Sequence, residues 1–487
     1  MTEESLCDSK LVELFSIYLL LSLAAIVAGA TQAWSTPVIP KFHNNETNIA
    51  ITDNEISWMA AIASPGYMSG SMATRFISDK FGRRTVVLGS ALPILIGTTV
   101  LLTTASAPCL YVTRYLWGFG NGMYGTVSAM YLAEIADKEI RGKLTASIRF
   151  TLSFGSFIIM SVGPFMSFNA ISYIFLVLPI CYFVACSFIP ETPYFYLKEG
   201  KVNAARASLK RLSGDRDEKV IEDRLSAMRL DVQKEMHRSG SAKEMFTGKR
   251  YRKALIIASG LKATQIMAGP IAIQQYFGRI VQESKTNVNI SIVLITFGAV
   301  KFIVGIISSM IVDKVGRRPL LIYSYLGSGI ALGVVGAYFL IQPTSSPYYT
   351  YIPFIGIILS SVVSILGYEP MVFVVSSEIF ALNVKSVAMT YLNILGGLLN
   401  FLCVKGYQPM KDVAGLTGVF WFYATFAFIG GAFSFLMVPE TNGKSLREIQ
   451  IQMQGDLYDE SYDKPHNVVV DDEAEGTELK KLKQDDT

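Results

Sequence analysis

The sequence predicts an all-α membrane protein in which twelve transmembrane helices form two pseudo-symmetric six-helix bundles. Composition is the first reason, because 51% of the 487 residues are hydrophobic, 17% are charged, and the mean hydropathy is +0.38. The second is a series of apolar runs of about 20 residues, long enough to cross a hydrocarbon core of about 30 Å. The third is an internal duplication, since Asp79–Arg84 recurs almost unchanged as Asp313–Arg318.

Six apolar runs occupy the N-terminal half of the chain. They lie at 12–33, 57–77, 85–106, 109–133, 143–166 and 170–189. Because unpaired backbone polar groups are costly in lipid, each run is expected to cross the membrane as a helix. The first run is too long for a cleaved signal peptide, so we expect it to remain as the first span. Residues 1–11 then form an N-terminal tail, and residues 12–189 form the first bundle.

A polar linker at 190–252 separates the two halves. Apolar residues recur in it at helical spacing among charges, which is typical of short amphipathic helices lying under a bundle. The second bundle is predicted at 253–437, with runs at 253–277, 290–312, 319–341, 351–379, 386–408 and 415–437. The tail at 438–487 has few apolar positions and is expected to be mobile.

Basic residues and glycosylation signals predict the orientation. Between residues 190 and 253 there are sixteen Lys or Arg residues against ten Asp or Glu residues, and both repeated turns are basic. This bias places the linker, the turns and both termini in the cytoplasm. The two Asn-x-Ser/Thr sequences, at Asn45 and Asn289, fall in loops that this topology places outside. We therefore expect a glycosylated protein, in the plasma membrane.

Composition argues against several other classes of protein. The net charge of +4 is too small to suggest a nucleic-acid partner. The five Cys and three His residues show no metal or redox spacing, so we expect no metal ion, cofactor or structural disulfide. The sequence contains no phosphate-binding loop and no catalytic constellation, so an enzyme is not expected. No obligate protein partner is evident, which leaves the lipid bilayer and a small-molecule substrate.

The duplication extends beyond the repeated turn. Each copy is followed by a Glu with a basic residue seven positions later, and then by a Pro-Glu-Thr triplet. These landmarks are Glu134 with Arg141, Pro190–Thr192, Glu378 with Lys385, and Pro439–Thr441. Together with the turns and Arg114, they resemble the sugar porter family of the major facilitator superfamily. The segments Ala33–Pro37 and Pro190–Leu197 look most like the insect trehalose transporters of that family.

The resemblance covers residues 12–455 and carries implications for fold and activity. It implies the major facilitator fold, in which two bundles rock about a substrate site near the membrane midplane. It also implies transport of a sugar, either a hexose or trehalose. The first helix has no carboxylate from Leu14 to Ala33, where proton-coupled sugar porters use one, and this favours facilitated diffusion. Two alternatives stay open: Glu369 carries a proton, or the chain is a transport-dead sensor on the same fold.

The repeated charged landmarks are the predicted cytoplasmic gate. Paired charges are expected to tie the two bundles together at the cytoplasmic side and to separate when the inner gate opens. The alternative is that these charges only fix the topology of the loops. The gate residues are Asp79, Arg83, Arg84, Arg114, Glu134, Arg141, Asp313, Arg317, Arg318, Glu378 and Lys385.

The predicted substrate pocket departs from the pattern of the resembled family. Sugar porters carry Gln-Gln-x-Ser-Gly-x-Asn on the seventh helix, and here Gln265–Ile271 keeps one Gln and the Gly. Charged residues stand where the family has amides or neutral residues. The candidate pocket residues are Arg149, Lys262, Gln265, Lys301, Glu369, Phe373 and Asn400.

Two interpretations of these intramembrane charges remain open. Charges kept inside a membrane domain usually face a cavity and mark a pathway, so the substrate carries an acidic group or is a sugar held partly by charged donors. Alternatively, Lys262 and Lys301 extend toward the membrane surface while Arg149 pairs with Glu369 as a packing contact.

Overall fold

The computed structural model describes residues 3–47, 49–103, 106–135, 138–213, 218–237, 242–284, 289–341, 347–381 and 384–455. The regular secondary structure of these residues is helical throughout, with three short 3₁₀ turns at Gly163–Phe165, Lys249–Tyr251 and Pro347–Tyr351. This confirms the predicted all-α fold class.

The first nine helices precede the linker, and the tenth lies at its start. They are α1 (Glu3–Ala33), α2 (Ser35–His43), α3 (Asp53–Ala61), α4 (Ala63–Phe81), α5 (Arg83–Gly89), α6 (Ala91–Thr103), α7 (Ala107–Ile135), α8 (Lys138–Val162), α9 (Phe168–Cys186) and α10 (Pro193–Lys198). The linker and the second half contribute eleven more. They are α11 (Val202–Ser213), α12 (Glu218–His237), α13 (Ala242–Thr247), α14 (Arg252–Met267), α15 (Pro270–Glu283), α16 (Ile290–Val315), α17 (Arg317–Ile341), α18 (Ile352–Leu366), α19 (Tyr368–Ile379), α20 (Lys385–Met437) and α21 (Leu446–Gln454).

Nine segments of the described chain are long and apolar enough to cross a membrane. The last of them, Val387–Met437, holds two spans, because Gly415 interrupts α20 with φ 64°. An unbroken helix of 53 residues would be about 80 Å long, far more than one bilayer core requires. The remaining two spans are α3–α4 and α7. The twelve spans of the predicted fold are thereby accounted for.

The first span extends further than the sequence predicted. The segment after Ala33 was expected to be a loop, but Ser35–His43 forms α2, and Trp34 between the two helices keeps right-handed helical backbone angles. Every residue from Ser35 to Phe42 is buried, and α2 packs against α15. The apolar run that defined the first span ends at Ala33, so α2 was not predicted; packing against α15 stabilises it despite the low helix propensity of its two prolines.

Close contact between α4 and α7 depends on glycine. A Cβ atom at Gly118 would collide with the carbonyl oxygen of Ala63, and one at Gly122 would collide with the carbonyl oxygen of Tyr67. The two backbones therefore touch directly, as is common where small residues line contacts between membrane helices. Helix α7 carries Arg114 and Asn121, and both residues line a cavity between the two halves of the molecule.

The linker and the tail contain more order than a loop would. Ala205 and Leu209 on α11 form a small core with Ile221 and Leu225 on α12, as their spacing predicted. The tail prediction was wrong for its first part, because α21 begins at Ser445 with a capping box to Glu448. Helix α21 packs against α14 and α19, and this burial holds it in place. The rest of the predicted tail, from residue 456 onward, lies outside the described residues.

Candidate functional site

A cavity of about 440 Å³ lies between the two halves of the molecule. This volume falls in the range of small-molecule sites, which are roughly 300 to 1,000 Å³. Helices α1, α4 and α7 form one wall, and helices α14, α15, α19 and α20 form the other. We call this space the central cavity. The polar residues of its lining that matter below are Thr31, Arg114, Asn121, Lys262, Gln265, Gln275, Glu369 and Asn400.

Arg114 is the principal charge on the N-terminal wall. Its side chain is 2% exposed, its Nη1 donates to the carbonyl oxygen of Thr31 at 2.9 Å, and its guanidinium lies 5.7 Å from the ring centroid of Trp34. The prediction that Arg114 belongs to the cytoplasmic gate was wrong. Twenty residues of α7 separate it from Glu134, which corresponds to about 30 Å of helix.

Asn121 belongs to the lining of the central cavity. Its Nδ2 donates to Thr31 Oγ1 at 2.8 Å. The Thr31 hydroxyl donates to the carbonyl oxygens of Val27 and Ala28, so its oxygen is available as the acceptor. This arrangement fixes the orientation of the Asn121 amide and leaves its buried Oδ1 without a hydrogen-bond partner in the described chain.

The C-terminal wall holds three predicted pocket residues in one chain of hydrogen bonds. Lys262 Nζ donates to Gln265 Oε1 at 3.3 Å, and Gln265 Nε2 donates to the carbonyl oxygen of Glu369 at 3.0 Å. The Glu369 carboxylate itself accepts from the hydroxyl of Ser364 at 3.0 Å. Gly396 makes room for the lysine, because a Cβ atom there would come within 2.5 Å of Lys262 Cε.

Asn400 connects the two walls. Its Nδ2 donates to Ser64 Oγ on α4 at 2.8 Å, while its buried Oδ1 has no hydrogen-bond partner in the part of the chain that the structure describes. Gln275 is 5% exposed, and its buried Oε1 also lacks a hydrogen-bond partner in the described chain. Three residues that line the central cavity therefore each carry a buried amide oxygen without a partner in the described chain.

Lys301 lies beside a second, smaller cavity of about 260 Å³. Its Nζ donates to Gln274 Oε1 at 2.5 Å and lies 5.6 Å from the ring centroid of Phe297. Glu369 lines both this cavity and the central one. The structure therefore places Glu369 between the two lysines that the sequence singled out, with Lys262 on one side and Lys301 on the other.

The packing interpretation predicted that Arg149 pairs with Glu369, but Arg149 contacts Phe373 instead. Its guanidinium lies 4.9 Å from the ring centroid of Phe373, so α8 meets α19 through a cation–π contact. Among the described residues, no ion pair joins Arg149 to Glu369. Arg149 and Phe373 were both predicted in the pocket. They contact each other, but neither lines the central cavity or the smaller cavity beside Lys301.

The first repeated turn is held by carboxylates from two other segments. Glu191 accepts from the backbone N–H groups of Arg83 and Arg84, each at 3.0 Å, at the N-terminus of α5. Arg83 Nε donates to Glu134 Oε1 at 2.9 Å, and the hydroxyl of Thr192 donates to Glu134 Oε2 at 2.5 Å. A carboxylate at a helix N-terminus satisfies free N–H groups and meets the positive end of the helix dipole.

The second turn repeats this arrangement. Glu440 accepts from the backbone N–H groups of Arg317 and Arg318 at 3.0 and 3.1 Å. Arg317 forms an ion pair with Glu378 at 3.6 Å and donates to the side chain of Asn442. The duplication seen in the sequence is therefore a duplication of contacts.

The paired arginines that end each turn reach helix ends. Arg84 Nη2 donates to the carbonyl oxygen of Ser187 at 2.6 Å, and Arg318 Nη2 donates to that of Phe435 at 2.5 Å. Asp79 lies 3.8 Å from Arg83, and burial lowers the pKa of Lys385, the first residue of α20. The side chains of Arg141 and Asp313 lie outside the described part of the structure.

These ion pairs each lie within one bundle, whereas the sequence led us to expect that they would tie the bundles together. We call the surface that carries both turns and α11–α13 the linker face. Sequence reasoning did not assign a role to Glu191 and Glu440, which anchor the turns there. The recurring Pro-Glu-Thr triplets were the available signal. Each repeated turn starts a helix, and a carboxylate that recurs with each turn is a candidate cap for that helix.

Polar contacts between the bundles occur at the other end of the molecule, which we call the distal face. Arg279 on α15 donates two hydrogen bonds to Asp53 on α3, with Nη1–Oδ1 and Nη2–Oδ2 distances of 2.6 Å. Its Nε also donates to Glu283 Oε1 at 2.5 Å, and Glu283 in turn pairs with Lys411. The hydrogen bond from Arg279 holds the pKa of Asp53 below its usual value.

Two further contacts reinforce this junction. Lys405 Nζ donates to Asn54 Oδ1 and to Ser57 Oγ, both at 2.7 Å, and Thr36 Oγ1 donates to the carbonyl oxygen of Gln274 at 2.8 Å. None of these contacts at the distal face was predicted from the sequence. The predicted seventh span ended at residue 277, so Arg279 was not examined as a charge at a bundle contact. The predicted glycosylation residues, Asn45 and Asn289, are exposed and lie at ends of α2 and α16.

Comparisons with known proteins agree with this architecture. The family described as "Sugar (and other) transporter" matches residues 23–453. The facilitated trehalose transporter Tret1 of Aedes aegypti is 26% identical over 437 residues, which are 89% of this chain and 54% of that protein. Tret1 of Apis mellifera ligustica is 26% identical over 440 residues, which are 90% of this chain and 87% of that protein. The chain therefore spans about half the length of the mosquito relative.

Among solved structures, the inward open conformation of the xylose transporter XylE from E. coli aligns with a TM-score of 0.75. The alignment covers 90% of this chain and 99% of that one at 20% identity, which shows a shared fold. These findings confirm the resemblance suggested by the repeated motifs. The chain belongs to the sugar (and other) transporter family, a family of membrane transporters rather than of enzymes.

Proposed function

We propose that the protein carries a sugar, a hexose or trehalose, across a membrane by facilitated diffusion through alternating access. The observation that carries this proposal is a cavity between the bundles whose lining includes several amide side chains. Contacts between α3 and α15 close it at the distal face. The description of the insect relatives as facilitated trehalose transporters supports the substrate class.

We further propose that the linker face is cytoplasmic and that the protein resides in the plasma membrane, with both termini inside the cell. The basic linker and the two exposed sequons at Asn45 and Asn289 support this orientation. The distal face is then the outer face, and the structure corresponds to an inward-facing state. Its likeness to inward open XylE supports the same assignment.

The charged turns have a place in this cycle as the cytoplasmic gate. In the inward-facing state each turn is anchored within its own bundle through Glu191 or Glu440. When the inner side closes, the two turns approach each other, and the charges around Arg83 and Arg317 form contacts that this state lacks. A network present in one state only shifts the equilibrium between states.

Transport without proton coupling follows from the first helix. The Arg114 guanidinium meets the backbone carbonyl of Thr31 in a stretch of α1 that contains no acidic residue. The acid that lines the central cavity, Glu369, is hydrogen-bonded to Ser364 on the opposite wall. A proton gradient is therefore not expected to drive accumulation.

Uptake into vesicles that contain the purified protein tests the proposal. We expect saturable uptake of radiolabelled glucose or trehalose, and acceleration of tracer entry by unlabelled sugar preloaded in the vesicle. A pH gradient of either sign is expected to leave the final level unchanged, because carriage is not coupled to protons. Empty vesicles are the control. Specific sugar binding without any uptake would contradict the proposal and indicate a sensor.

A further inference from the structure

Two cations, the buried Arg114 and the half-buried Lys262, line the central cavity without an acidic partner in the described part of the chain. Arg114, on the N-terminal wall, donates to backbone carbonyl oxygens of Thr31 and Met59. Lys262, on the C-terminal wall, has the neutral Gln265 oxygen as its hydrogen-bond acceptor. Both positive charges are therefore solvated by neutral groups alone.

Glu369 does not compensate both charges. It is the acidic residue of the central cavity lining, and its carboxylate accepts from the Ser364 hydroxyl. Glu369 also lines the smaller cavity together with Lys301, so its negative charge is shared with a third cation. Along the described chain, no ion pair joins Glu369 to Lys262 or to Lys301. The space between the bundles therefore carries a net positive charge.

Such a charge at membrane depth is costly unless a partner of opposite sign is present. An ammonium group has three N–H donors, and Lys262 directs one toward a protein acceptor. The lysine is also built into its position, because Gly396 lies directly against its side chain. A substituent of opposite charge on the transported solute would supply the missing partner.

The remaining lining describes the rest of that solute. Asn121, Gln275 and Asn400 line the cavity, and their buried amide oxygens have no partner in the described chain. Rotation of these side chains toward the ligand would let each oxygen accept a hydrogen bond from it. Hydroxyl groups supply donors, whereas an unsubstituted carboxylate such as acetate does not. One cavity therefore combines acceptors suited to hydroxyls with a cation suited to an acid.

We propose that the preferred solute is an acidic sugar, whose ionised group binds Lys262 while its hydroxyls bind Asn121, Gln275 and Asn400. This inference rests on the proposed transport function. Within the sugars, it shifts the preferred solute from neutral sugars to sugars that carry a carboxylate or phosphate group. Lys262 is then a specificity-determining residue.

Competition experiments in vesicles test this assignment. Uptake and inhibition are measured with glucose, glucuronate and glucose 6-phosphate for the wild-type protein, Lys262→Gln, Lys262→Arg and Lys210→Gln. We expect the wild-type protein to prefer at least one acidic sugar over glucose. Lys262→Gln should weaken binding of that sugar by about tenfold or more, with glucose affected less than about threefold. The two acidic sugars distinguish a carboxylate from a phosphate site.

The two other variants control for charge and for folding. Lys262→Arg keeps the positive charge and is expected to keep most of the preference for the acid. Lys210→Gln makes the same chemical change on exposed α11 and should behave as wild type. Thermal melting of each purified variant shows whether Lys262→Gln is folded. If it is not, the wild-type preference and its retention in Lys262→Arg decide the question.

The uptake results distinguish failure of this inference from failure of the proposed transport function. Glucose uptake by the wild-type protein with no preference for either acid overturns the inference and leaves the proposed function standing. If no sugar is taken up, the proposed function fails, and calorimetric titration of the purified protein with glucuronate and glucose 6-phosphate decides the inference. Absence of binding for both acids would then overturn it as well.

Discussion

Asp53 and Arg279 form the contact on which the closed distal face most depends. Both guanidinium N–H groups meet both carboxylate oxygens, and such bidentate pairs are the strong members of their class. Arg279 is 5% exposed, whereas the Asp53 side chain is 43% exposed, so solvent weakens the attraction on one side. A contribution of roughly 1 to 2 kcal/mol to the closed state is a reasonable scale for a half-buried pair.

The change Asp53→Asn should therefore open the distal face more often. It removes the charge and keeps the size of the side chain, so Arg279 retains Glu283 but loses its link to the other bundle. We expect about a tenfold rise in the labelling rate of a cysteine introduced at Asn121 by an external, membrane-impermeant thiol reagent. Asp53→Glu is the matched control that keeps the charge. An unchanged labelling rate for Asp53→Asn would show that the pair does not hold the face closed.

At the residue scale, the sequence identified chemistry better than position. Lys262, Gln265, Glu369 and Asn400 were predicted in the pocket, and the structure places all four on the central cavity. Arg114 was assigned to the wrong end because its motif partner, Glu134, lies on the same helix. Proximity in a motif does not give depth along a helix of 29 residues. Distance along the axis has to be counted, at about 1.5 Å per residue.

At the scale of elements, the duplicated turn is a helix N-terminus with a carboxylate supplied from a distant segment. The two copies differ in electrostatics. Burial raises the pKa of Glu191 above its ordinary value, although backbone hydrogen bonds oppose this shift. At Glu440 burial acts in the same direction, but hydrogen bonds from the backbone of Asn442, Arg317 and Arg318 prevail and hold the pKa below its ordinary value. The two anchors should therefore respond differently to pH.

The matched changes Glu191→Gln and Glu440→Gln test this difference. The lowered pKa of Glu440 contributes stability above the ordinary carboxyl pKa, and that stability is lost only as pH falls through the lowered value. The raised pKa of Glu191 penalises its charged form at neutral pH, and the penalty disappears as pH falls through the raised value. At pH 7, Glu440→Gln should lower the melting temperature more than Glu191→Gln does.

The pH series adds a second expectation for the same pair of variants. As pH falls from 7 toward the ordinary carboxyl pKa, the melting-temperature deficit of Glu191→Gln relative to wild type should grow. The wild-type protein loses the penalty for charging Glu191 over this range, whereas the variant carries no such penalty. The deficit of Glu440→Gln should stay nearly constant over this range. Equal deficits at all pH values would show that the two anchors are electrostatically equivalent.

Element ends were harder to predict than element centres. The cores of the apolar runs agree with the observed helices, since apolar periodicity and length dominate there. Helix α2 was missed because its stability comes from packing against α15, which no local pattern encodes. Helix α21 was missed although Ser445 and Glu448 spell a capping box, because low apolar content was given more weight than the cap.

At the scale of the whole molecule, the duplication predicted the architecture but could not predict which face is closed. The alternating access proposed above requires one sequence to be compatible with two arrangements of nearly equal free energy, so no single arrangement is encoded by local pattern. The contacts that distinguish the arrangements lie between segments far apart in the chain, such as α2 with α15 and α3 with α20. The charged landmarks on the linker face were visible because they recur. The contacts of the distal face do not recur and gave no such signal.

Gly278 offers a direct test of this two-state view. A Cβ atom at this position would collide with the carbonyl oxygen of Thr36 and would lie 2.7 Å from the ring of Pro40, and both belong to α2 in the other bundle. The change Gly278→Leu should therefore prevent closure of the distal face while leaving each bundle intact. We expect transport to fall to a few per cent of the wild-type rate and spin labels at Glu46 and Ser284 to move apart. Gly333→Leu is the matched control, since no atom lies within 4 Å of a Cβ atom there. Normal transport by Gly278→Leu would mean that α2 and α15 need not meet during the cycle, and the closed distal face would lose its place in the mechanism.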